Sequence, residues 1–174
     1  MSKIKKRHLL SGKNSREIIN KIRELYPELY KKVIATYNNP QIEYLLFDKF
    51  EVYVIERSPI LLKLQENLFI PTINILNDKV KEILPKVVVD DGAIRHIING
   101  ADVMAPGIIE IKDFFNENEI VQIVECNHNI TIAIGKALFS STMIHTIKHG
   151  KVIRNLHHVG DKIWVSLKHH FPNS

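Results

Sequence analysis

Three groups of side chains are of types that carry chemistry in proteins. His145 and His149 are four residues apart, a spacing at which two zinc ligands share one face of a helix. Asp90 and Asp91 are adjacent carboxylates, which can share a proton when their heads converge. Cys126 is the single thiol of the chain and a candidate nucleophile. These groups allow a metal site, or a small hydrolase or transferase that uses Asp90 or Cys126.

A simpler role exists for each group. The chain leaves any helix near Gly150, and Asp161 is the one carboxylate near the two histidines, so solvated histidines are favoured over zinc ligands. Asp90 and Asp91 stand where a strand turns into a helix, and a carboxylate there caps the first N–H groups of the helix. The sequence specifies no base for Cys126. We therefore expect no catalytic residue, no metal and no other cofactor.

The P-loop, the G-x-S-x-G nucleophile elbow and the H-E-x-x-H zinc-protease motif are absent from the sequence. The Gly-Lys pairs that begin at Gly12, Gly135 and Gly150 lack the upstream glycine of a P-loop, and the chain contains neither G-x-S-x-G nor H-E-x-x-H. One cysteine excludes an internal disulfide and every zinc site that needs several cysteines. This cysteine usage fits a reducing cytoplasm, where we expect the protein to work.

The sign of the charge changes twice along the chain. Residues 1–32 contain 10 Lys and Arg against 3 Asp and Glu, a net of +7, whereas residues 33–140 contain 9 against 15, a net of −6. Residues 141–174 contain 5 against 1, a net of +4, together with six of the nine histidines. Clustered cations attract phosphates, so the basic ends favour a polyanion partner, although terminal lysines are also often merely solvated.

The elements that position these residues fall into two sets. With 45% hydrophobic and 25% charged residues the chain is globular, and it has no apolar run long enough for a membrane span and no apolar signal region. No glycine occurs between Gly12 and Gly92, but six occur from Gly92 onward, which predicts two differently built domains. Pro85 ends the preceding helical pattern, so we place the domains at residues 1–84 and 85–174.

The first domain is predicted to be α+β. Apolar spacing predicts one helix over residues 14–26 and another over 71–84. Runs of β-branched and aromatic residues between them predict strands, with a hairpin turn at Asp48-Lys49. The predicted strands cover residues 33–37, 41–47, 50–55, 60–64 and 67–70.

The second domain is predicted to be mainly β, a small barrel or sandwich. A strand at residues 86–90 leads into a short helix at 92–99, which Gly100 ends in a conformation of positive φ. Short strands separated by turn residues follow. These strands cover residues 103–104, 108–111, 119–126, 130–139, 151–159 and 163–167.

The segment KVVVDDGAIRHIINGADVMAPGII at residues 86–109 strongly resembles the opening of a PUA domain, the RNA-binding module of pseudouridine synthases and archaeosine transglycosylases. The matching motifs are Gly92-Ala93, Gly100-Ala101-Asp102 and Met104-Ala105-Pro106-Gly107. Residues 130–139 and 156–161 resemble later strands of the same domain, so the resemblance covers about residues 86–168. It implies a PUA pseudo-barrel. In modification enzymes this domain is an appendage to a separate catalytic domain, for which we expect no room in this chain.

The first half resembles a pre-PUA domain at residues 7–11, 69–76 and 84–85. Proteins with this pair of domains are archaeal stand-alone proteins and the eukaryotic malignant-T-cell-amplified-sequence group. The resemblance implies a non-enzymatic, RNA-binding protein that acts in translation. Its expected partners are small-subunit ribosomal RNA or tRNA, the small ribosomal subunit and a translation factor. The alternative is an accessory subunit that presents tRNA to a separate transglycosylase or pseudouridine synthase.

The resemblance and the charge pattern together predict an RNA-binding surface on the PUA domain. Glycines let a phosphate-sugar backbone approach main-chain N–H groups closely, and nearby cations attract it. We expect Gly107→Val to spare the fold and block RNA. The predicted RNA-binding residues are Gly92, Ala93, Arg95, Gly100, Ala101, Asp102, Met104, Ala105, Pro106, Gly107, Lys151, Arg154 and His157.

Overall fold

The computed structural model describes residues 2–172, and these form two compact units. Residues 2–83 together with 166–172 form the first unit, and residues 84–165 form the second. The assignment of residues 1–84 and 85–174 to separately folding domains stays a prediction. Within residues 2–172, every helix is too short or too polar to cross a membrane.

The first unit is an antiparallel sheet with helices, so its predicted α+β class is confirmed. The five strands lie in the order β1-β2-β3-β4-β5, and each neighbouring pair is antiparallel. Its elements are β1 (Lys6–Leu9), α1 (Gly12–Leu25), α2 (Pro27–Lys32), a 3-10 turn (Ile34–Thr36), β2 (Ile42–Leu46), β3 (Glu51–Ile55), β4 (Ser58–Lys63), a 3-10 turn (Gln65–Asn67), β5 (Phe69–Pro71) and α3 (Ile73–Asp78).

Local signals explain where these elements begin and turn. The hydroxyl of Ser11 accepts a hydrogen bond from the Asn14 N–H at the start of α1, and Thr72 caps α3 in the same way. Glu56 and Arg57 have φ angles of 48° and 65°, so they form the two-residue turn that a tight hairpin between β3 and β4 requires.

Two predictions for the first unit are wrong, and one strand was not predicted. Residues 33–37 do not form a strand, because Pro27 at the first helical position starts α2, and the chain continues into a 3-10 turn. Helix α3 ends at Asp78, not at residue 84. Strand β1 was not predicted, because all four of its residues are exposed and therefore show no alternation of apolar and polar side chains.

The second unit is mainly β, as predicted. Its six strands lie in the order β7-β11-β10-β9-β6-β8, and β6 and β9 are parallel. Its elements are β6 (Lys86–Val89), α4 (Asp91–Ile97), β7 (Val103–Met104), a 3-10 turn (Ala105–Gly107), β8 (Ile108–Ile111), β9 (Ile120–Glu125), β10 (Thr131–Ala137), α5 (Ser141–Ile144), β11 (Lys151–His158) and the start of α6 (Lys162–His170), whose residues from Ser166 onward belong to the first unit.

A bulge in β10 brings two strands of this sheet into close contact. The register with β11 shifts between Ile134 and Gly135. A Cβ atom at Gly135 would collide with the side chain of Ile153 and lie 2.8 Å from the backbone oxygen of Arg154. Only glycine fits this position without a backbone shift. The strands enclose a core of buried apolar side chains that includes Phe115.

The prediction of a strand at residues 163–167 is wrong, because this segment lies in α6. A carboxylate oxygen of Asp161 accepts a hydrogen bond of 2.7 Å from the Trp164 N–H and so caps the helix. Helix α5 was not predicted either, and it begins with the same kind of cap at Ser140. Short helices that begin at a single capping residue leave little apolar periodicity in the sequence.

Candidate nucleic-acid interface

A groove of about 790 Å³ opens beside α4 in the second unit. Its residues come from the start and one face of α4, from the loop that follows the helix and from the first residue of β11. Those that line it are Asp90, Gly92, Ala93, His96, Ile97, Ala101, Asp102, Met104, Pro106, Gly107 and Lys151.

Main-chain and capping hydrogen bonds hold both ends of α4. At its start, the Asp90 side chain accepts a hydrogen bond of 2.8 Å from the Ala93 N–H, while the Asp90 N–H donates to the Gly107 carbonyl at 3.0 Å. At its end, Gly100 has a φ of 93°, as predicted, and the Ala101 N–H donates to the His96 carbonyl at 3.0 Å. These hydrogen bonds therefore fix the helix against the loop.

Gly107 brings the loop into direct contact with α4. A Cβ atom at this position would lie 2.8 Å from the Cβ of Ala93, a distance that real side chains do not tolerate. This contact argues against the expectation that Gly107→Val spares the fold. A valine would push the loop and the helix apart and so change the groove itself.

The Asp102 carboxylate lines the groove and contacts two residues of β11. One carboxylate oxygen accepts a hydrogen bond of 2.8 Å from the Asn155 N–H, and the other lies 3.0 Å from the Lys151 Nζ. Burial acts to raise the pKa of Asp102, but the Asn155 hydrogen bond and the charges of Lys151 and Arg154 outweigh it and lower the pKa. The carboxylate therefore stays ionised and partly balances the charge of Lys151.

Asn155 connects β11 to the helix and the loop. Its side-chain amide donates hydrogen bonds of 3.0 Å to the carbonyls of both Ile97 and Ala101. This side chain was not among the predicted site residues, because nothing in the sequence places residue 155 beside residue 101. It supports the groove and is not itself part of its lining.

Arg95, Arg154 and Lys136 are cations of the same unit. Arg95 and Arg154 are exposed, Lys136 is half-buried, and none of them forms an ion pair with any residue in the range 2–172. Lys136 is the direct cross-strand partner of Arg154 between β10 and β11. Like charges in this arrangement repel each other, and a bound polyanion would relieve that repulsion. Lys136 was not predicted, because the pairing register of two strands is not visible in the sequence.

The structure brings most of the predicted residues together, but not all. Arg95, Arg154 and Gly100 lie outside the groove lining, and Ala105 is buried. His157 is completely buried, and its Nδ1 lies 2.7 Å from Asp161, so it makes no direct contact with a ligand on this surface.

The groove also contains Asp90, His96 and Ile97, which were not predicted as binding residues. His96 lies three and four residues after Ala93 and Gly92. That is the helical spacing of one face, so the sequence contained the signal for it.

The side chains that suggested an enzyme make other contacts. Asp91 accepts a hydrogen bond of 2.9 Å from the Asn127 side chain, whereas Asp90 caps α4, so the two carboxylates do not share a proton. Partial burial and the nearby Asp91 carboxylate raise the pKa of the Cys126 thiol. A raised pKa opposes formation of the nucleophilic thiolate.

Two family models match the chain. The model of the PUA domain matches residues 85–159, and the model of the pre-PUA-like domain matches residues 1–79. These matches confirm both resemblances found in the sequence and agree with the α+β and mainly β units.

Relatives occur in archaea and eukaryotes. The chain is 39% identical to an uncharacterized protein of Methanocaldococcus jannaschii, over 92% of this chain and 96% of that protein. It is 29% identical to translation machinery-associated protein 20 of Eremothecium gossypii, over 86% of each chain. It is 27% identical to the malignant T-cell-amplified sequence 1 homolog of Dictyostelium discoideum, over 87% of this chain and 86% of that one.

A solved structure has the same fold. A hypothetical protein of the archaeon Pyrococcus horikoshii superposes with a TM-score of 0.77 at 31% identity. The match covers 93% of this chain and 99% of that one.

Proposed function

The chain belongs to the family in which a pre-PUA domain precedes a PUA domain, and from this membership we propose that it is a non-enzymatic RNA-binding protein that acts in translation. Its RNA is ribosomal RNA of the small subunit or tRNA. Its work takes place in the cytoplasm, together with the small ribosomal subunit and a translation factor. The observation that supports this proposal is the groove beside α4, whose helix is held at both ends by hydrogen bonds.

The lining of the groove suits a single-stranded nucleic acid. Gly92, Ala93 and Gly107 present almost no side chain, so a sugar-phosphate backbone or a base edge can reach the main chain. The side chain of Met104 is 49% exposed and offers an apolar contact for a base. His96 adds a ring that can stack on a base or donate a hydrogen bond.

The cations supply attraction without sequence readout. Arg95 and Arg154 are available to a ligand, since both are exposed and neither forms an ion pair in the part of the chain that the structure describes. Lys151 attracts a phosphate less strongly, because the Asp102 carboxylate lies 3.0 Å from its Nζ and balances part of its charge. Phosphates are therefore expected to contact the two arginines first.

A binding measurement tests the surface. We expect Arg95→Ala and Arg154→Ala each to weaken the binding of a fluorescein-labelled tRNA, or of a fragment of small-subunit ribosomal RNA, by about tenfold, the loss of one charged hydrogen bond. Lys112→Ala is the matched control, because Lys112 carries the same charge in the same unit but contacts Glu110 and Asn129 outside the groove. Equal affinities of the two arginine variants and the parent would reject this surface.

Sedimentation separates translation from the alternative function. A translation protein should co-sediment with purified small ribosomal subunits, and the arginine variants should lose that association. An accessory subunit of tRNA modification should instead bind tRNA together with a transglycosylase or a pseudouridine synthase, and should leave ribosomal subunits unbound.

A further inference from the structure

The sheet of the first unit has a row of aromatic rings on one face. The ring centroids of His8 and Tyr44 are 5.2 Å apart, those of Tyr44 and Tyr53 are 5.7 Å apart, and those of Tyr53 and Phe69 are 6.2 Å apart. His8, Tyr44 and Tyr53 are direct cross-strand partners on β1, β2 and β3. The register of the sheet therefore builds the row, which does not depend on a mobile loop.

One end of this row opens into a groove of about 310 Å³ that residues of α1 also line. His8 at the rim is exposed, Tyr44 is half-buried, and Tyr53 is 5% exposed. Asn14 and Glu17 line it from α1. The groove therefore has aromatic rings on the sheet side and polar groups on the helix side.

One amide and two charged side chains of this groove have no partner within residues 2–172. The Asn14 side-chain amide, the Glu17 carboxylate and the Lys6 ammonium make neither a hydrogen bond nor an ion pair there. The two neighbours of Lys6 differ, since Lys5 pairs with Asp48 and Arg7 pairs with Glu43, each at 2.6 Å. Lys6 is the cation of β1 that points its charge into the groove without a counterion.

We propose that this groove binds an amino-bearing base of single-stranded RNA, so that the first unit makes an RNA contact of its own. The proposal rests on the function proposed above. Aromatic faces stack on any base. A carboxylate such as Glu17 accepts a hydrogen bond from the amino group of cytosine, and an amide such as Asn14 pairs with adenine. Lys6 lies where it can attract the phosphate next to the bound base. The net charge of +7 over residues 1–32 also favours a polyanion such as RNA as the ligand.

The test uses the full chain and two labelled probes, a ten-residue oligocytidylate and a ten-residue oligouridylate. Tyr44→Leu removes the stacking ring and should weaken oligocytidylate binding at least fivefold. The matched control is Tyr30→Leu, because the Tyr30 ring lies under the Arg23 guanidinium at 4.4 Å and outside the groove. If Tyr44→Leu does not fold, His8→Leu at the exposed rim makes the same test.

Two further variants test the polar groups. Glu17→Ala should bring the affinity ratio of oligocytidylate to oligouridylate close to one, because only cytosine offers an amino donor to the carboxylate. Lys6→Gln should weaken both probes and reduce their salt dependence. Lys5→Gln removes the same charge one residue away, where Asp48 already balances it, and should have little effect.

Each outcome decides the proposal. If Tyr44→Leu and His8→Leu bind as the parent does while Arg95→Ala and Arg154→Ala bind more weakly, the groove is not an RNA site and the proposed function stands. If the groove variants lose affinity and the arginine variants do not, this proposal stands and the surface beside α4 is rejected. A parent that binds neither probe, or binds an oligoglutamate peptide as well as it binds RNA, overturns the proposal.

Discussion

Two glycines of the second unit occupy positions where even a methyl group has no room. At Gly107 the contact is with Ala93 of α4, and at Gly135 it is with the backbone of Arg154. Gly107 was predicted from its motif as a residue for ligand approach. The structure adds a packing role, because the loop reaches the helix only where no Cβ separates them.

We expect Gly107→Val to destabilise the second unit by about 1–3 kcal/mol, because overpacking forces side chains and backbone apart. Thermal unfolding followed by circular dichroism measures this loss. Gly12→Ala is the control, since the nearest atom to its added Cβ is 4.0 Å away, at the flexible end of Arg16. An unchanged melting temperature for Gly107→Val would show that the loop moves freely away from α4.

At the scale of elements, some segments could be predicted from local signals and others could not. Helix α4 has an aspartate cap before it and Gly100 after it, so a single stretch of sequence specifies both ends. Most residues that line the groove lie in this stretch or in the loop that follows it, so they could be predicted together with the helix.

By contrast, the apolar residues of α6 suggest a strand unless Asp161 is recognised as the cap of a helix. The pairing of Lys136 with Arg154 depends on a register that includes a bulge, which only the folded sheet defines.

Asp161 makes the stability of this region depend on pH. Burial acts to raise its pKa, but the hydrogen bond and charge of His157 and the N–H groups of Trp164 and His158 outweigh burial, so the pKa lies below its ordinary value of 3.8. A carboxylate with a lowered pKa stabilises the fold above the unfolded value, and this contribution is lost as the pH falls through the lowered value. Stability should therefore decline with acidification below about pH 4.

Asp161→Asn should reduce the free energy of unfolding at pH 7 by about 1–3 kcal/mol, because it removes the charged partner of buried His157. The difference in free energy of unfolding between the parent and the variant should become smaller as the pH falls below about 4. Urea unfolding at a series of pH values measures both effects. Glu117→Gln serves as the control, since this exposed side chain has no bonding partner among residues 2–172. A constant difference between Asp161→Asn and the parent at all pH values would contradict the role of the charge.

At the scale of the whole molecule, the two units allow a test of the predicted domains. A fragment of residues 84–174 keeps α6 whole and should unfold cooperatively on its own when circular dichroism is followed with temperature. Its core of buried apolar side chains supports this expectation. If the fragment is unfolded while the full chain is folded, the domain boundary between residues 84 and 85 is wrong.

The basic-acidic-basic layout of the chain leads to a prediction about salt. If three to five phosphates are neutralised, the slope of log affinity against log salt should be about −2 to −4, at the single-strand coefficient of about −0.7 per phosphate. Arg95→Ala and Arg154→Ala should each make the slope less steep by about 0.7, since each removes one phosphate contact. Lys151→Ala should change the slope less, because Asp102 already balances part of the Lys151 charge.

Affinities measured by fluorescence anisotropy from about 50 to 300 mM salt, a range over which counterion release changes the affinity, provide the slopes. A salt-independent affinity, or a Lys151→Ala effect larger than that of either arginine variant, would show that the phosphates follow a different path across the protein.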